Sequence, residues 1–383
     1  MTADADFSQR LAELVAFPTV SSASNLALVA HVEAIAAAHG ARCRRFLDAD
    51  GEKANLVVTI GPEALGGLVL SGHTDVVPVT GQTWSGDPWT LRTTNEHLVA
   101  RGATDMKGFL ACSLAVLPHF AQMELKRPIH LAFSYDEEVG CTGVGPMAEW
   151  LGTHAEPSLA VIGEATGMDL VTAHKGGTIG WTSVTGKPAH SSQPDNGVNA
   201  VMIACDLVGE INRIAEEMRA GPAMAGIDPP FSTIQVNQIE GGSHGNILAE
   251  HCRFFFEMRL VPDDSAERVL DRIEARIDAL EPGMKAVSDK TGIRVDIQAR
   301  IPPLAPIGDA ALEERLLKLL GRSSPRAVPY GTEAGIFSAA GIPSVVIGPG
   351  SIADAHQPDE SIAIEQMAAC TDFLVRLAAS EAT

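Results

Sequence analysis

Hydrophobic positions along the chain follow two periods. Phe7, Leu11, Leu14 and Val15 recur at helical spacing, and Pro18 marks where that helix stops. Residues 26–39 repeat the pattern and end at Gly40, the residue type that most easily closes a helix. Short apolar runs follow at 54–60 (ANLVVTI), 68–71 (LVLS), 129–134 (IHLAFS), 158–162 (SLAVI) and 344–347 (SVVI). Each has strand length and gives way to Gly-rich or polar sequence. A helical pattern from Met106 to about Gln122 lies between two of them. Strands alternating with helices predict an α/β domain whose sheet is covered on both faces.

The rhythm changes from about 175 to 300. A strand at 180–186 precedes a long helix at 199–219 and a Pro/Gly-rich loop at 222–230. Strands at 232–240 and 250–261, a helix at 265–280 and a strand at 292–300 complete the segment. The order β-α-β-β-α-β is that of a ferredoxin-like domain. The expected organisation is an α/β domain built from 1–174 and 301–383, with 175–300 inserted as a second domain.

Charge narrows the partners. The chain carries 28 basic and 48 acidic residues, a net charge of −20. Such a surface repels nucleic acid and anionic membrane, so neither is an expected partner. The start, MTADADFSQR, lacks the basic and apolar runs of a secretory signal. No apolar stretch approaches the ~20 residues that span a bilayer. Six cysteines (43, 112, 141, 205, 252 and 370) are scattered without CxxC spacing and read as reduced thiols of a cytoplasmic protein.

In open α/β sheets, ligands bind beyond the carboxyl ends of the strands. LVLS is followed by Gly72-His73-Thr74-Asp75, and IHLAFS by Tyr135-Asp136-Glu137-Glu138. SLAVI is followed by Gly163-Glu164, and SVVI by a loop reaching His356. The segment 100–108 places Asp105 just before the long helix. Any one of these alone would be a solvated turn or a helix cap. Together they put five acidic or histidine-bearing regions on one predicted rim.

Such donors suit Zn²⁺, Co²⁺ or Mn²⁺, with no thiol required. His73 and Asp75 lie two apart on an extended segment, so their side chains should point the same way. The Asp75 carboxylate is then expected to accept from the second ring nitrogen of His73 and set its tautomer. Glu137 and Glu138 are adjacent and point apart, so one can bind metal while the other faces water. His73, Asp105, Glu138, Glu164 and His356 bring three negative charges, a set that suits two divalent ions and would over-ligate one zinc.

The segments SGHTDVVPV (71–79), ARGATDMKGF (100–109), SYDEEVGCTG (134–143), VIGEATG (161–167), GKPAHSSQPDNGVNA (186–200) and GPGSIADAHQPDE (348–360) carry a family resemblance. In order and content the chain resembles the M20 metallopeptidase family of zinc-dependent peptidases and deacylases. The resemblance implies a catalytic metal domain, an inserted dimerisation domain and hence a homodimer. It implies two divalent ions, zinc first and cobalt as the alternative. By resemblance, Asp105 bridges the ions, His73 and Glu164 complete one site, and Glu138 and His356 the other. Glu137 is the implied general base and acid, and Asp75 the orienter of His73. His190 is implied to reach the active site from the partner subunit and donate to the oxyanion. Read from its own surroundings, His190 is an ordinary surface histidine.

The segments DEEVGCTGV (136–144), HKGG (174–177) and 331–356 resemble a branch that deacetylates a small diamino acid. A sibling desuccinylating branch has Ser-Asp where this chain has Glu333-Ala334. The implied substrate is a small N-acyl amino acid, with other deacylases and dipeptidases of the family as alternatives. Arg259 can bind an α-carboxylate bidentately, or pair with a neighbour at a strand end. Asn246 and Thr332 resemble substrate-contact positions. Glu333 either faces a substrate ammonium or is a structural acid.

Two readings of other classes stand beside this one. GGSHG (241–245) matches the G-x-S-x-G nucleophile motif, but it joins two strand patterns where that motif needs strand, turn and helix. It reads as a hairpin loop. A non-catalytic protein with a structural metal is the other. A calcium site would prefer all-oxygen donors, against which the two histidines and the spare Glu137 count.

Overall fold

The computed structural model describes residues 7–379, 381 and 382. Its fold is mixed α/β. An eight-stranded sheet runs in the order Arg42–Leu47, Ala54–Ile60, Ile129–Ser134, Leu68–His73, Leu159–Ile162, Ser344–Val346, Val171–His174, Arg326–Val328. The four strands from Ile129–Ser134 to Ser344–Val346 are parallel. Ala54–Ile60 and Arg42–Leu47 extend the sheet antiparallel on one side.

The central strands are apolar throughout because both faces are covered. Leu68–His73 is buried at all six positions. Leu70, Leu131, Phe133, Val161 and Val345 share one core with the helices Phe7–Val15, Leu26–Ala38, Lys107–Gln122 and Ile364–Ala379. The helices Gly145–His154 and Ala334–Ala339 also pack on the sheet, against its strands Ala54–Ile60 and Ser344–Val346 respectively.

The chain divides into two compact units. One holds the residues up to Ala173, Leu304–Ala327 and Thr332 onward, and the other holds His174–Pro303 and Val328–Gly331. The second unit has a four-stranded antiparallel sheet in the order Thr233–Gly241, His251–Leu260, Gly176–Thr185, Gly292–Ile301. Cys252, Phe254, Phe256, Met258 and Leu260 alternate inward and meet Leu207, Ile211 and Ile214 of the helix Ala200–Met218. Asn199 caps that helix, accepting from the Val201 N–H at 3.1 Å. The helix Ala266–Val287 runs past the expected end at 280, through Pro282, because Met284 still has core to fill. The GGSHG segment lies between two antiparallel paired strands, with no helix after it.

No helix among the described residues is long and apolar enough to cross a membrane. All six cysteines are free thiols.

Candidate metal centre

Close packing at two glycines brings the rim residues together. Gly72 and Gly163 directly precede His73 and Glu164. A Cβ on Gly163 would stand 1.9 Å from Phe109 Cγ, and one on Gly72 would stand 2.4 Å from Met106 Cε. The start of the helix Lys107–Gln122 therefore lies hard against the two strand ends. Asp105, just before that helix, is delivered to His73 and Glu164.

His73 Nε2 lies 3.0 Å from Asp105 Oδ1 and 3.5 Å from Glu164 Oε1. His356 Nε2 lies 3.0 Å from Asp105 Oδ2 and 3.1 Å from Glu138 Oε2. The two oxygens of Asp105 thus face two different histidines, each with a further carboxylate beside it. His73 is fully buried, and the His356 side chain is 50% exposed, so the cluster runs from the interior to solvent.

The expected contact between His73 and the Asp75 carboxylate is present only as a 3.6 Å ion pair, and the hydrogen bond of the ring nitrogen goes elsewhere. His73 Nδ1 bonds the backbone carbonyl of Asp75 at 2.8 Å, while the carboxylate stands 3.6 Å away. The strand ends at His73, so the extended geometry that would align the two side chains stops there. The Asp75 carboxylate instead accepts from Ser21 Oγ at 2.7 Å and from the Glu137 and Glu138 N–H groups at 3.2 and 3.3 Å. It orients the loop of the two glutamates. Ser21 carried no sequence signal, because its partner lies 54 residues away.

The electrostatics reflect crowded acids. Burial opposes charge on His73, but its bond to Asp105 and the charges of Glu164, Glu137 and Asp105 hold its pKa well above the ordinary histidine range. Hydrogen bonds to Asp105 and Glu138 push His356 up to about 10. Burial, reinforced by Glu138, Asp105 and Glu333, pushes Glu137 up to about 8. Burial and the Asp105 charge drive Glu164 well above its usual value. Against its own burial, Asp105 is held low by its bonds to His356 and His73.

These residues fit divalent metal. A ring nitrogen facing a carbonyl must carry its proton, so a neutral His73 turns the Nε2 lone pair toward two carboxylate oxygens. Without metal, a proton on Nε2 bridges it to these oxygens, as the raised pKa reflects; a divalent cation can take that proton's place. Glu138 Oε1 is buried with no hydrogen-bond partner. His73, Asp105 and Glu138 each offer a ligand atom within 4.8 Å of the others, as do His73, Glu137 and Glu164. Nitrogen and oxygen donors without thiolate suit borderline and hard divalent ions.

The remaining candidates are outside this donor cluster, though Glu333 is near enough to act on the charge of Glu137. Thr332 is buried, and its hydroxyl accepts from the Ala334 N–H at 3.1 Å. Glu333 is 1% exposed, neither of its oxygens has a hydrogen-bond partner, and burial pushes its pKa to about 7. His190, Asn246 and Arg259 belong to the second unit. His190 is exposed, with Nδ1 2.8 Å from Ser192 Oγ, and Asn246 is exposed on the loop before His251. Arg259 is ion-paired with Glu257. Sequence reasoning missed Cys141, whose thiol lies 3.5 Å from Glu137 Oε1.

Comparison with known proteins defines the class. The model of the peptidase family M20/M25/M40 matches residues 69–380. The chain belongs to this family and is a hydrolase of amide bonds. It is 34% identical over 382 residues to the acetylornithine deacetylase of Myxococcus xanthus, covering 96% of each chain. It is 30% identical to the acetylornithine deacetylase of Pasteurella multocida, covering 97% of each. Its fold is similar to an M20 metallo-carboxypeptidase of Sulfolobus solfataricus, with a TM-score of 0.75 at 18% identity, over 97% of this chain and 98% of that one. A dinuclear metal-binding M20 peptidase of Bacillus subtilis matches at a TM-score of 0.65 and 12% identity, over 97% of each.

Proposed function

We propose that this protein is a cytoplasmic, homodimeric deacetylase that hydrolyses N-acetylornithine to ornithine and acetate, a step that supplies arginine synthesis. The observation that carries the metal chemistry is Asp105, whose two oxygens face His73 and His356 at 3.0 Å each. The substrate is supported by the identity to acetylornithine deacetylases along nearly the whole chain.

In this reading His73, Asp105 and Glu164 hold one divalent ion, and Asp105, Glu138 and His356 hold a second, with zinc as the native metal and cobalt a substitute. When bound, such ions polarise an acyl carbonyl and lower the pKa of water. Glu137 takes the proton from the attacking water and returns it to the leaving amine nitrogen. Asp75 holds the Glu137 loop in register. The segment 175–300 serves as a ferredoxin-like dimerisation domain, and its His190 donates to the oxyanion across the dimer. Arg259 and Asn246 bind the substrate carboxylate end, with Arg259 leaving Glu257 to do so. Thr332 completes the substrate contacts.

The test is amine release from N-acetylornithine, N-succinyl-diaminopimelate, N-acetylmethionine and a dipeptide, by chelated protein with and without added Zn²⁺ or Co²⁺. Metal-dependent turnover that is fastest on N-acetylornithine is expected. Faster turnover of another member would keep the chemistry and overturn the substrate. No turnover with any metal would favour a metal-binding protein without catalysis.

A further inference from the structure

Three residues outside the donor set tie Asp105 and His356 together. Glu360 is 1% exposed and sits four residues past His356. Its carboxylate accepts from the backbone N–H groups of Gly102 at 3.1 Å, Thr104 at 2.9 Å and Asp105 at 3.0 Å. These amides belong to the loop that carries Asp105, so one side chain sets the path of that loop. Glu360 also accepts from Arg101 Nη1 at 2.6 Å, and Arg101 is itself 1% exposed.

The other arm of the guanidinium reaches the second ligand. Arg101 Nη2 donates to Gln82 Oε1, which also accepts from Trp84 Nε1 at 3.2 Å. Two donors on one side fix the amide: its oxygen faces them, and its NH₂ points away. That NH₂ donates to the backbone carbonyl of His356 at 2.8 Å. His356 needs such a hold. It lies in a loop, half-exposed, with φ at +63°, a region disfavoured for any residue with a Cβ.

We propose that Gln82, Arg101 and Glu360 are positioning residues that set the separation of the Asp105 carboxylate and the His356 imidazole. They thereby set the affinity of the His356 side of the centre for its ion. The inference rests on the two-ion reading above. Partners that orient metal ligands are typically worth ~10–100-fold in metal affinity.

The decisive variant is Gln82→Glu. Its carboxylate still accepts from Arg101 and Trp84, but it turns an oxygen toward the His356 carbonyl in place of the donor. Gln82 is not buried, so folding is not at risk. Zn²⁺ is titrated calorimetrically into the chelated wild type, Gln82→Glu, Glu360→Gln and a His356→Ala reference. The wild type is expected to take up two equivalents. Gln82→Glu should weaken one equivalent by about 10–100-fold, the same one that His356→Ala loses. The other equivalent and the melting temperature of the metal-free variant should stay unchanged. Glu360→Gln, if it folds, should weaken this equivalent and the other as well, because the loop that Glu360 holds carries Asp105, which serves both. Two equivalents of wild-type affinity in Gln82→Glu would overturn the inference. So would equal weakening of both in that variant with a lower metal-free melting temperature, which marks a general structural role. A wild type that takes up fewer than two equivalents would instead refute the two-ion reading, and the inference with it.

Discussion

The imidazole of His73 is held by the backbone of Asp75: Nδ1 meets the Asp75 carbonyl at 2.8 Å, while the Asp75 carboxylate holds the amides of Glu137 and Glu138. The main chain of Asp75 thus meets the imidazole, and its side chain takes up a second role, on the loop of the two glutamates, that the sequence did not announce. The hydrogen bond of His73 Nδ1 is to the main chain, and the side chain's hydrogen bonds are to Ser21 and the amides of Glu137 and Glu138.

Asp75→Asn separates the two roles. The new amide keeps one acceptor oxygen and turns its NH₂ toward one of the two backbone donors, which bond different oxygens of the carboxylate in the wild type. A kcat loss of about 10–100-fold is expected, with the metal affinity of the His73 side changed less. Calorimetric zinc titration alongside steady-state kinetics checks this. A large loss of affinity with normal turnover at saturating metal would show that the carboxylate serves His73 instead.

Glu137→Gln keeps the size and the neighbours of the side chain but removes its proton transfer. Turnover should fall by ~10²–10⁴-fold while both ions remain bound. Metal content by mass spectrometry, measured on the same sample as the rate, decides it. Near-normal turnover would remove Glu137 from the base role.

The two glycine contacts make a stability prediction. Gly163→Ala places a methyl 1.9 Å from Phe109 Cγ and should destabilise the protein by at least ~1–3 kcal/mol. Gly145→Ala meets nothing within 4 Å in a helix and should be neutral or stabilising by about 0.5–1 kcal/mol. Melting temperatures of the two metal-free variants test the contrast. Equal effects would mean that the helix start and the strand end are not tightly packed.

His130 gives stability a pH dependence independent of the metal centre. It is buried in a central strand, with Nδ1 2.9 Å from Thr59 Oγ1 and Nε2 without a partner. Burial, helped by the Arg42 charge, pushes its pKa from 6.5 to about 4. The unfolded chain therefore takes up this proton first. Stability is full above pH ~6.5 and is lost as pH falls toward about 4, by on the order of 3 kcal/mol once both states are protonated. Urea unfolding of metal-free protein at pH 7 and 4.5 should show a smaller drop for His130→Gln than for wild type. An identical drop in both would assign the acid sensitivity to other groups, of which the buried His174, also near 4, is the first.

Much of the fold was legible because burial writes itself into period. The strands Leu68–His73 and Ile129–Ser134 are continuous apolar runs, and the inward alternation of Cys252 to Leu260 follows the pleat. The edge strand Arg42–Leu47 was not legible, because its residues are mostly exposed and carry no alternation. The helix end at Val287 was misread because Pro282 is a local signal and core contact overrode it.

The chain by itself determined the candidate donors. His73, Asp105, Glu138, Glu164 and His356 follow strand ends or precede a helix, where an α/β sheet must present them. Their chemistry is a property of residue type. Tertiary structure alone decided how those donors are held. The partner of His73 Nδ1, the anchoring of Glu137 by Asp75, the burial of Glu333 and the link from Glu360 to His356 depend on where loops turn after regular structure ends. Loop paths are set by contacts between residues up to 274 apart, such as Gln82 with His356, and no local pattern records them.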